Sequence, residues 1–416
     1  LGSLNDAQKS GEEALVNGSN TRSDVATQLD KAKALNEAMK KLREKVAEKT
    51  TIKQSSDYIN DSSQHQNAYN QALQDAESII NQNSNPTLDK SVVEQKLQGL
   101  TQAQNALQGS HLLENAKNNA VTEINKLTAL NDAQRQKAIQ NVQAQTTIPN
   151  VNQQLTTVKE LNSAMQALRD AVGQQNDVHQ QSNYFNEDPD KKKAYDDAIK
   201  RAEEIIKNST DPNLNPQDIT NALNQINHAK DNLHGDDLLQ HQKDTSNQSI
   251  DNLNHLNQPQ KDALKQAING ATTREQVAEK LKEAQALDEA MKQLENQVSK
   301  DPSITSGSPF VNEDTDKQKA YNDAVQAAKD LINQTSNPTL DKQKVEEALQ
   351  KIQNAVNDLH GEQKLTQSKQ DANDQLSHFN NLTDEQKAHF KPLIDNAQTR
   401  GEVDKQIALA KQLNDD

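Results

Sequence analysis

The stretch Glu313-Asp314-Thr315-Asp316 has the acidic character of a calcium loop, in which several carboxylate oxygens surround a hard divalent cation. It lacks the turn glycine and the closing glutamate that such a loop needs, so no calcium site is assigned. The ten histidines are scattered. His234 and His360 share a repeat position, but Gln108 stands there in the first copy, and no His, Asp or Glu cluster has metal-ligand spacing. Asp236-Asp237 and Glu203-Glu204 are sequence neighbours, which point to different sides of a helix rather than sharing a proton. There is no cysteine, so disulfides, thiolate ligands and a cysteine nucleophile are excluded. No GxSxG, Walker or GxGxxG pattern occurs, and no serine, lysine or carboxylate stands beside a fixed partner in every copy. No catalytic, cofactor-binding or metal-binding residue is assigned. The chain is not expected to be an enzyme, and no cofactor is implied.

The elements that would have to position any such residue are tandem repeats. Leu35-Asn36-Glu37-Ala38-Met39 returns as Leu161-Asn162-Ser163-Ala164-Met165 and as Leu287-Asp288-Glu289-Ala290-Met291, at a constant step of 126 residues. Leu413-Asn414 begins a fourth copy, and Ala68-Tyr69, Ala194-Tyr195 and Ala320-Tyr321 keep the same step. An active site in such an array would have to recur with the period, and none does.

Each period holds two helical patterns. In the first, Leu113 opens a helix with Ile124, Leu127 and Leu130 on one face. Asn131 and Gln134 then form a capping box, repeated at Asn5/Gln8, Asn257/Gln260 and Thr383/Gln386. The second helix carries Val142 and stops near Thr146-Thr147. A third runs through Val151, Leu155, Val158, Leu161, Met165, Leu168 and Val172, close to the spacing of a bundle seam. Met39, Met165 and Met291 occupy one position of it and are expected in the core.

In the second pattern, Tyr69, Leu73, Ala76 and Ile80 share a helix face before Asn85-Pro86 breaks it. Asp89, Asn215 and Asp341 are placed to cap the next helix, with Pro216 suited to its first position. That helix reads Val93, Leu97, Leu100, Ala103 and Leu107 and ends by Gly109. A shorter first element holds Ile52 and Tyr58. Tyr58, Tyr69, Tyr184, Tyr195, Phe310 and Tyr321 are expected to pack between helices, with any hydroxyl at the rim. Whether a helix runs through Gly109 toward Leu113 is open at this level.

The expected fold is all-α: an elongated, monomeric rod of tandem three-helix bundles in two alternating module types. The expected divisions are a first-type module at 1–49 without its first helix, then second-type modules at 50–109, 176–235 and 302–361. First-type modules occupy 110–175, 236–301 and, truncated, 362–416. Hydrophobic residues make up 32% of the chain, aromatics 2%, and the formal charge is −15. A single large core is not expected, and nucleic acid and anionic membrane are disfavoured as partners because both need a cationic face. No signal peptide or apolar membrane-spanning run is visible.

The Ala-Tyr-Asn/Asp phrase, Ile79-Ile80, the Asn-Pro-x-Leu break and the Leu-x-Gly ending resemble the FIVAR module. The Leu-Asn-x-Ala-Gln cap and the Leu-Asn-x-Ala-Met helix resemble the GA-like module. Their alternation over essentially the whole chain is similar to the family of giant staphylococcal extracellular-matrix-binding proteins. This resemblance implies an extracellular, cell-wall-associated repeat region with fibronectin as ligand class, and roles in adhesion, aggregation and biofilm. It does not carry albumin binding to the internal copies: the helix from Asn131 to Gln145 has no aromatic, and only the last copy offers Phe390. The polar Asn/Gln-rich surface also fits an alternative, a non-binding stalk. No ligand-binding residue is assigned.

Overall fold

The structure is a computed structural model that describes all 416 residues, and it is all-α. The chain starts with α1 (Asp6–Asn17) and the long α2 (Arg22–Ala47). Two short helices follow, α3 (Lys49–Gln54) and α4 (Ser56–Ile59), then α5 (Ser63–Ile80) and α6 (Lys90–Asn105). The next period contains α7 (Gly109–Asn125), α8 (Asp132–Gln143), α9 (Ile148–Gly173), α10 (Gln175–His179), α11 (Ser182–Phe185), α12 (Pro189–Lys207) and α13 (Pro216–Asp231). The third begins with α14 (Gly235–Asp251), α15 (Gln258–Gly270) and α16 (Arg274–Val298). It continues through α17 (Asp301–Thr305), α18 (Ser308–Val311), α19 (Thr315–Ile332) and α20 (Lys342–Asn357). Last come α21 (Gly361–Ser377), α22 (Asp384–Asp395) and α23 (Arg400–Asp415).

Two compact units are present: residues 1–178 with 193–232, and residues 179–192 with 233–416. In the first, α7, α8 and α9 pack on one another, while α2 packs on α1, α5 and α6. In the second, α14, α15 and α16 form one bundle, α16 also packs on α19 and α20, and α21, α22 and α23 form another. Each long helix therefore serves two bundles, its first half closing one and its second half closing the next. The core follows it without a gap. Leu264, Ile268, Val277, Met291, Tyr321, Val345 and Ile352 belong to one contiguous cluster.

The local signals work as their chemistry dictates. All four capping boxes are closed in both directions, at Asn5/Gln8, Asn131/Gln134, Asn257/Gln260 and Thr383/Gln386. Asp89, Asn215 and Asp341 cap α6, α13 and α20, with Pro216 at the start of α13. Met39, Met165 and Met291 are fully buried, as are Tyr69, Tyr195 and Tyr321. Burial pushes the Tyr195 phenol up to about 12.

Four details differ from the expectation. Leu127 and Leu130 lie beyond the end of α7, whose buried face is Leu113, Ala120 and Ile124. On α5 the fully buried isoleucine is Ile79, with Ile80 partly covered, because a helix packed against two others needs a wide apolar stripe. Asn85 escapes α geometry before Pro86 by entering the left-handed region (φ 46°) rather than extended backbone, which asparagine tolerates. The element around Ile52 and Tyr58 is two short helices, so α2 supplies the third long member of the packing with α5 and α6.

Candidate functional site

No three His, Cys, Asp or Glu side chains converge to hold a metal ion, and no helix is long and apolar enough to cross a membrane. What recurs with the period is a pair of polar connections where one module type meets the other.

The first connection uses the capping box twice. Asn131 Oδ1 accepts from the Gln134 N–H, as a cap must, while Asn131 Nδ2 donates to Ile206 O at 3.1 Å near the end of α12. Gln134, fully buried, returns its Oε1 to the Asn131 N–H and donates Nε2 to Asn213 O at 2.9 Å. The copies match: Asn5 Nδ2 donates to Ile79 O and Gln8 Nε2 to Thr87 O. Asn257 Nδ2 donates to Leu331 O and Ile332 O, and Gln260 Nε2 to Thr339 O. Only an amide can do both jobs, because it presents an acceptor and donors on one planar group. The asparagine donor finds an unpaired carbonyl at a helix C-terminus, and the glutamine donor one in the loop that follows it.

The second connection lies where a short helix meets the next first-type helix. Buried Asn60 donates Nδ2 to Thr146 O and accepts from the Ile148 N–H, so it bridges the turn into α9. Asn186 does the same with Thr272 and Arg274, and Asn312 with Gln398 and Arg400. The residue after each asparagine is acidic and accepts the N–H of the residue before α7, α14 or α21: Asp61 from Gln108, Glu187 from His234, Glu313 from His360. A carboxylate there meets the positive end of a helix dipole. Gly109 comes so close to α4 that a Cβ would lie 2.5 Å from Ser56 O. The helix thus breaks before Gly109 and restarts there.

Charge grows along the series. Arg274 pairs with Asp188 at 2.7 Å. In the last connection Arg400 pairs with Asp314 at 2.8 Å, and Lys364 reaches both Glu313 and Asp314. Lys364 and Arg400 hold the Asp314 carboxyl below its ordinary range. Burial pushes Glu313 up, but Lys364 and two backbone N–H groups outweigh it and its net shift is downward. Lys364 is raised by both partners. The would-be calcium stretch is therefore an ion-pair clamp. His234 and His360, exposed, contribute their backbone N–H groups here.

The aromatic residues form no open anchor patch. Tyr58 and Tyr69 meet edge to face with centroids 6.0 Å apart, as do Phe310 and Tyr321 at 5.6 Å. The Tyr321 hydroxyl reaches Asp301 Oδ1 at 3.2 Å, and burial together with that carboxylate raises its pKa. Phe390 of α22 is buried in the last bundle. One apolar position is less covered: Ile59 and Val311 are exposed, and Phe185, at the same repeat position, is half-buried.

Sequence models of two families alternate along this framework. The FIVAR domain matches residues 38–108, 164–234 and 290–360, and the GA module matches 1–38, 110–164, 236–290 and 362–416. The chain belongs to the FIVAR domain family, with GA modules between. Each FIVAR match begins inside a long helix, at Ala38, Ala164 or Ala290, the helix that both bundles share. The chain is 40% identical over 414 residues to the extracellular matrix-binding protein ebh of Staphylococcus aureus strain NCTC 8325 / PS 47, and to EbhA of strain Mu3. Those matches span 100% of this chain but 4% and 6% of the relatives. A crystal structure of a segment of EbhA from Staphylococcus aureus superposes with a TM-score of 0.55 and 28% identity, covering 59% of this chain and 98% of that one.

Sequence reasoning found the capping half of the GA-to-FIVAR connection and missed its reach to the next module. It missed Asn60, Asn186 and Asn312 altogether. Their signal was present, as an asparagine followed by an acid at Asn60-Asp61, Asn186-Glu187 and Asn312-Glu313, each 126 residues apart.

Proposed function

We propose that this array is a repeat region of a bacterial cell-surface adhesin that binds host extracellular matrix, with fibronectin as the ligand class. The observation that carries the reading is the likeness across the whole chain to proteins named for matrix binding, joined to a fold that presents equivalent surfaces at a fixed period. Weak contacts repeated on one chain reinforce one another, since linkage raises overall avidity by roughly 10²–10⁴ without any new contact. The extracellular, wall-associated location and the choice of fibronectin follow from the family resemblance.

Burial of Tyr69, Tyr195 and Tyr321 favours a second reading, in which these modules are a stalk that spaces some other region from the wall. Retention on surface-immobilised fibronectin separates the two. Chains of one, two and three 126-residue periods are expected to be retained progressively longer; no retention at any length overturns the adhesin and leaves the stalk.

A further inference from the structure

At the end of the second GA helix, one repeat position carries Asn17, Gln143, Asn269 and Asp395 in the four copies, followed by Gly18, Ala144, Gly270 and Asn396. We propose that Asn269 and Asn17 are sites of spontaneous deamidation, a water-driven modification that adds negative charge to the array with age.

The chemistry needs a nearby backbone nitrogen free to attack. The Gly270 nitrogen adds to the Asn269 side-chain amide carbon, the bond from that carbon to its NH2 breaks, and ammonia leaves. The resulting five-membered imide is opened by water at either carbonyl, giving aspartate or its iso-linked isomer. Water enters, ammonia departs, and nothing is oxidised or reduced. A glycine after the asparagine removes the side chain that would otherwise crowd the ring and restrict the backbone.

The structure places this pair where the attack is reachable. Asn269 and Gly270 are exposed and are the last two residues of α15, in the turn that frays first. No heavy atom lies within 4 Å of where a Gly270 Cβ would be, so no side chain packs on Gly270. The tie on this pair's backbone from outside the helix is Lys243 Nζ, donating to Asn269 O at 2.8 Å. Asn17 and Gly18 are also exposed, but Asn17 ends α1 and Gly18 caps it, its N–H donating to Ala14 O at 3.0 Å, a bond that fraying must open before attack.

The fourth copy shows that the aspartate product fits. Asp395 accepts from Asn373 Nδ2 at 2.7 Å and pairs with Lys391 at 2.9 Å. Asn269 already accepts from Asn247 Nδ2, the counterpart of Asn373. Lys265, the counterpart of Lys391, pairs with Asp251. A carboxylate at 269 would compete with Asp251 for Lys265. A carboxylate at 17 would instead face Glu13, one helical turn away, where like charges repel.

The test is peptide mapping by mass spectrometry on the whole chain incubated at neutral and mildly alkaline pH. The expected result is time-dependent conversion of amide to acid at Asn269 and Asn17, faster at the higher pH, with Gln143 and the capping Asn131 unchanged. Gly270→Ala should slow conversion at 269 several-fold while leaving the fold intact, since Ala144 occupies that position in the second copy. Conversion at 269 no faster than at Asn131, or unaffected by Gly270→Ala, would overturn the proposal.

Discussion

Asn131 caps α8 with its amide oxygen and holds the carbonyl of Ile206, 75 residues later, with the nitrogen of the same amide. One side chain thus starts a GA helix and fastens the end of a FIVAR helix. A chain with 32% hydrophobic residues has little apolar surface to spare, and side-chain amides aimed at helix-terminal carbonyls do part of the work.

The dual use of Asn131 predicts a split outcome for Asn131→Asp. The carboxylate still accepts from the Gln134 N–H, because aspartate caps as well as asparagine. It has no donor for Ile206 O and sets a negative oxygen against it. We expect α8 to keep its protection in hydrogen exchange, with faster exchange near the ends of α12 and α13. The loss should be at most about 1–3 kcal/mol, the cost of leaving a fully buried acceptor without its partner, since this hydrogen bond is only part-buried. Uniform loss across α8 would show that the cap, not the connection, is what the residue supplies.

Glycines give a second, two-signed prediction. Gly109→Ala drives a Cβ into the Ser56 and Asp57 carbonyls and should destabilise the first unit by about 1–3 kcal/mol. Gly99 lies mid-helix in α6 with nothing within 4 Å of its missing Cβ, so Gly99→Ala should stabilise by roughly 0.5–1 kcal/mol. Denaturant midpoints of the two variants should move in opposite directions. Equal shifts would refute the close approach at Gly109.

The glycine contrast shows what sequence alone could reach. Met165, Tyr195 and the four capping boxes were legible because their partners are local or follow helical periodicity, and an all-α array of FIVAR and GA modules followed from them. Two things were not. Gly109 could be read either as a helix stop or as a point inside a helix running on to Leu113, and what decides it is a close contact with α4, some fifty residues back; only the folded chain brings Ser56 beside it. Asn60 looked like any loop asparagine, yet it is buried against Thr146 and Ile148, a pairing no local pattern encodes. Long-range polar pairs leave no periodic trace in a single copy.

A register comparison makes the third prediction. Glu12 is buried and stands where the other GA copies have Ala138, Leu264 and Phe390, all buried in their cores. It accepts one hydrogen bond, from Gln28 Nε2 at 2.7 Å, and has no cationic partner in that contact. Glu12→Leu restores the repeat's apolar pattern and should stabilise the first GA module by about 1–3 kcal/mol, the usual gain from burying a leucine side chain. Hydrogen exchange in α1 and α2 reads this directly. Unchanged or faster exchange would mean that the Gln28 contact outweighs the burial.

The last prediction follows from the sign of the shifts at the final FIVAR-to-GA connection. Glu313 and Asp314 are held below the ordinary carboxylate range when folded, so their contribution is present above that range. It is lost as pH falls through their lowered values, below about 4. Lys364 is raised, so its contribution is complete below the ordinary lysine value of about 10.4 and is lost as pH climbs through its elevated one. The first connection shares the acid limb, because Asp61, though burial pushes it up, is lowered on balance by the Gln108 and Ser62 N–H groups and by His65. No lysine reaches Asp61 there, so it has no counterpart to the Lys364 limb. Hydrogen exchange at the start of α21 should therefore accelerate at both extremes of pH, and at the start of α7 chiefly in acid. Lys364→Met should remove the alkaline response at α21 and shrink the acid one. Asp314 and Lys364 stay partly solvated while the Glu313 and Asp61 side chains are almost fully covered, so the effect is expected as a local loosening at each connection rather than global unfolding. An alkaline response that persists in Lys364→Met would place its origin elsewhere in the module.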